Sequence, residues 1–335
     1  MAGIIFSEGS NLNNSVFGEV QYPIKMFLEA KAEEFENTSA LPHLFNEMTS
    51  EHSGELLTGM TAMNGFQPVG ENGEYPNDEM QEADGKFLRN VTWKDKFSIS
   101  EEMIEDSQMM DLRKRPDAFI KGYYRTREEF GAALYGGAIG GAAKTTFRGK
   151  EFDLTCADGL GLFNTTHKAK IRGAAQSNKF ADDFSADALA AAECAMQNFR
   201  GDNNEILAVH PNVILIPNEY SLKKDVFAAI GADKDPATAN NGFNFLFGRW
   251  TVIVWNYLNQ YITANSKPWV LLDSNYNESA GGAVWFNRRD LTIKSEIAEN
   301  DANVWKGRAR FIAGFNDWRF AAVGGITGGS ELISA

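Results

Sequence analysis

The feature that most constrains this chain is the stretch Gly65 to Lys86, GFQPVGENGEYPNDEMQEADGK, in which Glu71, Glu74, Asp78, Glu79, Glu82 and Asp84 face a single lysine among four glycines and two prolines. A core does not absorb a segment this charged, and a structureless loop of such length is uncommon inside a compact domain. It has to project. Strand-like residues flank it, Glu55 to Met63 before and Phe87 to Ile99 after, so the pattern predicts an extended two-stranded excursion from a larger body.

That body is large enough to stand alone. The chain has 335 residues, room for two or three domains, with 43% hydrophobic and 23% charged residues, which excludes wholesale disorder and small disulfide-stapled folds. The net charge is −13, the wrong sign for a protein whose main task is to neutralise phosphates or anionic lipid. The excess is local: residues 1–110 hold 20 acidic against 6 basic residues, and the remainder is almost balanced. Cys156 and Cys194 have no partner spacing for zinc or a disulfide framework, which suggests a reducing compartment. No apolar run approaches the roughly 20 residues of a membrane span, and the start lacks the features of a secretion signal. The expectation is a protein made and kept inside a cell.

After the acidic stretch, Ser98 and Glu101 form a capping box, which predicts a helix start followed by favourable acids Glu102, Glu105 and Asp106. Pro116 suggests that two helices meet there. Ile120, Tyr123, Tyr124, Phe130 and Leu134 mark one face of the second, long helix, with Gly136, Gly137, Gly140 and Gly141 expected to end it. Its first half is basic, with Arg113, Lys114, Arg115, Lys121, Arg125 and Arg127 facing only Asp117. Ser185 is the expected N-cap of a helix through Met196 and Phe199, ended by Gly201. Glu205 to Pro217 reads as a buried strand pair or one strand interrupted at Pro211. A helix to Ile230 and a strand at Trp250 to Trp255 follow. Finally Trp305, Gly307, Ala309, Phe311 and Ala313 alternate with Lys306, Arg308, Arg310 and Ile312, a long period-2 strand with one buried face. The fold class is α+β.

Catalytic patterns fail on inspection. GGAIGGAAKTT spaces Gly136 and Gly141 like a phosphate-binding loop, but Ala142 stands where the lysine belongs and Lys144 comes two residues late. Asp273, Asn275 and Asn277 open like a calcium loop, yet Glu278 replaces its glycine and Val284 its bidentate glutamate, leaving an asparagine-rich surface turn as the expectation. His43, His52, His167 and His210 are scattered, His210 reading as a core or turn residue. Cys156 with His167 is conceivable as a thiol and base but has no nucleophile signature around it.

Taken in order, the segment FSISEEMIEDSQMMDLRKRPDAFIKGYYRTREEFGAALYGG, Phe97 to Gly137, resembles the strand-to-spine-helix region of tailed-phage major capsid proteins of the Hong Kong 97 fold. DGLGLFNTTH (Asp158 to His167), NVILIPNEYSLKKDVFAAIG (Asn212 to Gly231) and RARFIAGFNDWRFAAVGG (Arg308 to Gly325) are similar to family segments in the same order, over about residues 45–325. The resemblance implies an N-terminal arm at 1–50 and an extended acidic E-loop at 51–90. It also implies a peripheral P-domain with the spine helix at 91–150 and 284–312, and an axial A-domain at 151–283 and 313–335.

It implies, further, a virion protein assembled in the host cytoplasm, with no catalytic residue, cofactor or metal. Pentamers and hexamers would close an icosahedral shell around double-stranded DNA, held by weak non-specific contact. A portal and a separate scaffolding protein are the expected partners, since the spine region begins near residue 100 and leaves no room for a long cleaved scaffold. The acidic loop gives no match for a cross-linking lysine, Lys86 lying at its edge. From the charge pattern, Glu71, Glu74, Glu79, Glu82 and Asp84 of one copy are expected over Arg113, Arg115, Arg125 and Arg127 of a neighbour. The alternatives are an encapsulin-like nanocompartment shell and a soluble α+β enzyme.

Overall fold

The computed structural model describes residues 5–7, 35, 38–60, 66, 68–69, 71, 74–75, 77, 82–100, 109–231, 244–262, 266–298 and 302–332. At 5–7, 59–60, 82–84 and 109–113 it describes the backbone alone. Along the chain run β1 (Ile5–Ser7), α1 (Leu41–Leu44), β2 (Asn46–Thr49), β3 (Gly54–Met60), β4 (Glu82–Arg89), β5 (Val91–Ile99) and α2 (Met109–Ile139). Then come β6 (Lys144–Phe147), β7 (Lys150–Asp153), α3 (Ala186–Gln197), β8 (Val213–Pro217), α4 (Tyr220–Ile230) and β9 (Thr251–Trp255). A 3-10 turn (Asn256–Gln260), β10 (Trp269–Leu272), α5 (Ser274–Ala280), β11 (Ala283–Ile297), β12 (Asn303–Phe315) and β13 (Ala321–Gly324) complete the chain.

One sheet runs β1-β11-β12-β5, with β2 also on β11. β12 is antiparallel to both of its neighbours, whereas β1 and β2 lie parallel to β11, Ile5 opposite Thr292 and Asn46 opposite Val284. A second sheet has the order β13-β10-β8-β9, and its central strands β8 and β10 are buried at every residue, as both-face burial requires. β3–β4 and β6–β7 are separate hairpins.

α2 packs across one face of the first sheet. Its apolar face is the one expected, Ile120, Phe130 and Leu134 being fully buried. Phe130 lies 5.5 Å from Trp93, 5.8 Å from Trp285 and 6.1 Å from Phe311, and Phe119 lies 5.1 Å from Phe97. The approach is close enough that a Cβ on Gly307 would stand 2.4 Å from the Phe119 ring. At the other end a Cβ on Gly136 would meet Tyr261 at 2.3 Å and one on Gly137 would meet Leu154 at 2.6 Å. These two glycines therefore lie inside the helix as contact points, and the helix ends only at Gly140 and Gly141, the latter at φ +75°.

Other expectations need correction. Pro116 does not separate two helices: the 31-residue α2 runs through it, and the buried ring replaces one backbone bond with apolar contact. The helix start expected over 101–108 lies outside the described residues. The second strand of the excursion is Glu82–Arg89, because Val91–Ile99 pairs with β12 in the main sheet. Ser185 does cap α3, its Oγ accepting from Ala188 N at 3.0 Å, but the helix closes at Asn198, before Gly201. Of Glu205 to Pro217 only Val213–Pro217 is a strand. Lys306 and Arg308 point away from the buried row of β12 as expected, while Ile312 is buried as well.

Candidate assembly surfaces

The projecting element is the β3–β4 hairpin, and its base is fastened. Ser50 Oγ donates to Glu55 Oε1 at 2.7 Å, Glu51 and His52 donate their backbone N–H groups to the same oxygen at 3.2 Å, and Asn90 Nδ2 donates to Ser50 Oγ at 2.7 Å. The Ser50 hydroxyl first, with the His52 N–H, holds the Glu55 carboxyl below the usual carboxylate range. Alternation along β4 then turns Lys86 and Leu88 inward and Phe87 outward. The buried Lys86 ammonium donates to the carbonyls of Thr155 and Asp153 and lies 3.5 Å from Asp153 Oδ2, so burial lowers its pKa while the carboxylate opposes that shift. This lysine, at the loop's edge in the sequence, is an anchor within its own chain.

Among the described residues nothing covers the apolar side chains farther out on the hairpin. Leu56 and Phe87 stand directly opposite in register, 63% and 58% exposed, and Phe66 and Tyr75 in the loop are essentially fully exposed. Glu71 and Glu74 are exposed beside them. The position of Glu79 lies outside the described residues, and Glu82 and Asp84 belong to strand β4 rather than to loop, their side chains not described. Sequence reasoning missed the apolar component. Its only signal is the isolated Phe, Val, Tyr and Leu among acids and glycines.

The basic half of α2 differs from the expectation. Arg127 is 5% exposed: it donates from Nη2 to Glu47 Oε1 at 2.8 Å and its guanidinium lies 5.0 Å from the centre of the Trp285 ring. It binds β2 to the core and is withdrawn from any neighbour's loop. Arg115 donates to the Ser98 carbonyl, Lys121 pairs with Asp117 at 2.5 Å, and Arg125 is exposed. The side chain of Arg113 is not described.

A stronger concentration of positive charge lies on the first sheet, on the face opposite α2. In register across β11, β12 and β5 stand Lys294, Lys306 and Lys96, and the next row holds Thr292, Arg308 and Lys94. These residues border a depression of about 520 Å³.

The catalytic decoys resolve into structure. His167 is buried, stacked 4.3 Å from Trp318, with Nδ1 2.6 Å from Asp158 Oδ2. Cys156 is buried too, and burial pushes its thiol well up, away from the reactive thiolate. At the glycine-rich segment a helix ends where a phosphate loop requires one to begin, and Lys144 pairs with Glu151 at 3.5 Å. Asp273, expected in a surface turn, is the buried N-cap of α5: Oδ1 accepts from Asn275 N and Tyr276 N, and Oδ2 from His210 N. His210 is exposed and in neither core nor turn. Among the described residues no three His, Cys, Asp or Glu stand together to hold a metal ion, and no helix is long and apolar enough to cross a membrane.

Among the described residues, the exposed hairpin and the charged sheet face are the distinctive surfaces of this α+β chain, and the family match gives them a context. The family model for phage capsid protein matches residues 88–324, and the chain belongs to that family: it is a phage major capsid protein, with the mixed helix-and-sheet fold of that family and a place in the virion. Among solved structures, a chain of Microbacterium phage Oxtober96 is 13% identical at a TM-score of 0.48, covering 85% of this chain and 90% of that one. A chain of the bacteriophage JBD30 procapsid is 12% identical at 0.48, covering 93% and 75%, and one of a virus-like particle from Pyrococcus furiosus is 12% identical at 0.45, covering 88% and 96%. No curated protein sequence matches the chain.

Proposed function

We propose that the chain is the repeating wall subunit of a tailed-phage head, forming pentamers and hexamers that close an icosahedral shell around double-stranded DNA. The observation that carries this reading is the hairpin: its base is anchored through Lys86 and Asn90, yet Leu56 and Phe87 lie opposite one another in water. Burying such a pair against another copy gains about 1.5–3 kcal/mol per side chain, so a fastened apolar excursion favours association. Residues 1–50 act as the arm and 51–90 as the E-loop. The P-domain comprises 91–150 and 284–312, and the A-domain 151–283 and 313–335. The loop acids Glu71, Glu74, Glu79, Glu82 and Asp84 meet positive charge on the neighbour, with Arg113, Arg115 and Arg125 the helix residues available once Arg127 is withdrawn. A separate scaffolding protein guides closure, a portal occupies one vertex, and DNA is touched weakly, in keeping with a net charge of −13.

The test is negative-stain microscopy of the purified chain, expressed alone and with the neighbouring head genes. Closed shells, or rings of five and six, are expected; small monodisperse particles under both conditions would overturn the reading. Shells that hold a cellular protein and no nucleic acid would identify a nanocompartment instead.

A further inference from the structure

We infer that the free edge of β9 is a docking site for an extended segment of a second, different protein, apolar at alternate residues and carrying a carboxylate, which adds to the four-stranded second sheet as a further strand. The inference goes beyond the shell reading and does not depend on it. The order β13-β10-β8-β9 leaves that sheet two edges. One is covered: the Phe180 N–H donates to the Val323 carbonyl at 2.8 Å, and the Val323 N–H to the Asn178 carbonyl at 2.9 Å. The other is bare among the described residues, β9 pairing with β8 alone. The Thr251 N–H donates to the Asn212 carbonyl, so by the alternation of a parallel ladder Thr251, Ile253 and Trp255 address β8. The main-chain groups of Val252 and Val254 therefore point outward.

Free edges are normally blunted by charge, proline or a bulge. β5, at the edge of the first sheet, follows that rule with Lys94, Asp95 and Lys96. β9 does not: it reads TVIVW, without charge or proline, and its register against β8 is unbroken. Beside it lies a groove of about 840 Å³, the size of a ligand site, bordered also by α2 and α1. The charges around this groove select the occupant. Glu128 is committed, Oε1 accepting from Ser39 Oγ at 2.6 Å and Oε2 from Trp255 Nε1 at 2.7 Å. Glu47 is held by Arg127, and Lys121 by Asp117. Arg125 is exposed and has no ion-pair partner among the described residues. The uncommitted charge is positive, so a carboxylate on the incoming strand is its match. The loop Gly65 to Lys86 of a second copy offers Arg125 carboxylates, but its two prolines and four glycines deny it a run of edge hydrogen bonds.

The experiment follows amide exchange at Val252 and Val254 by mass spectrometry in the dilute full-length chain, with the blocked peptide acetyl-SVTVEVT-amide as probe. Exchange at both amides should slow about tenfold at saturating peptide, and should stay fast with the same peptide N-methylated at alternate residues, which keeps the side chains and removes the edge bonds. Replacing the peptide's glutamate by lysine, or Arg125→Glu in the chain, should weaken binding about fivefold, the scale of one exposed ion pair turned to repulsion. Val252→Pro, which deletes one outward N–H and is tolerated at an edge, should weaken it about tenfold. No slowing at about 1 mM peptide would overturn the proposal, as would equal slowing by the N-methylated form. Amides already protected in the dilute chain would show its own segments covering the edge, and protection that arises only when copies assemble would assign the edge to a second copy; either result refutes the proposal. None of these readings needs a shell, so a failure of assembly sinks the capsid reading alone.

Discussion

Lys86 shows how a single residue couples the projecting hairpin to the body. Its ammonium is buried against the Thr155 and Asp153 carbonyls, and burial lowers its pKa below the 10.5 of a free lysine. Between that lowered value and 10.5 the unfolded chain binds more protons than the folded one, so stability rises with pH across this window; below it the full desolvation penalty applies. The stability of the wild type relative to Lys86→Met should accordingly increase as pH climbs from 8 toward 10.5, measured as the difference in urea midpoints. A constant difference would show that the amine is hydrated. Arg127 illustrates the opposite limit of sequence reading. Its neighbours in the chain mark it as one of a basic run, and only the arrival of Glu47 and Trp285 from elsewhere makes it a core residue.

Among the elements, β12 and α2 are held at a separation set by glycine. A Cβ on Gly307 would press into the Phe119 ring at 2.4 Å, so Gly307→Ala should destabilise the subunit by about 1–3 kcal/mol as overpacking does. Chemical denaturation of the purified chain checks this; a loss below about 0.5 kcal/mol would mean that the helix shifts freely. Elements defined by local chemistry were legible beforehand. Ser185 caps α3, Tyr220–Ile230 is helical, and β12 alternates because period-2 burial is written in its own residues. Pairing decisions were not. Nothing local tells Val91–Ile99 to join β12 instead of the hairpin, or α2 to continue through Pro116, because both choices depend on what packs from the other side. The cationic rows on the sheet are hidden for the same reason: Lys94, Lys96, Lys294 and Lys306 are distant in sequence and become neighbours only through register.

For the whole molecule, the separation between folding and association surfaces is open to measurement. Leu56 and Phe87 are more than half exposed in the subunit, so Leu56→Ser with Phe87→Ser should change its own unfolding free energy by less than about 1 kcal/mol. The same pair should sharply reduce the number of shells counted by microscopy. Equal losses in both measurements would mean that the hairpin stabilises its own chain and is no contact. The parallel seating of β1 and β2 on β11 has a consequence of another kind. Ile5 finds its partner at Thr292, and Asn46 at Val284, so β1 and β2 have no strand to pair with until β11, far downstream in the chain, has been synthesised. Such long sequence separation slows folding and delays it until the strand has left the ribosome. A chain interrupted before β11 and β12 thus lacks the seat for strands it has already made, and only synthesis past residue 315 completes the first sheet.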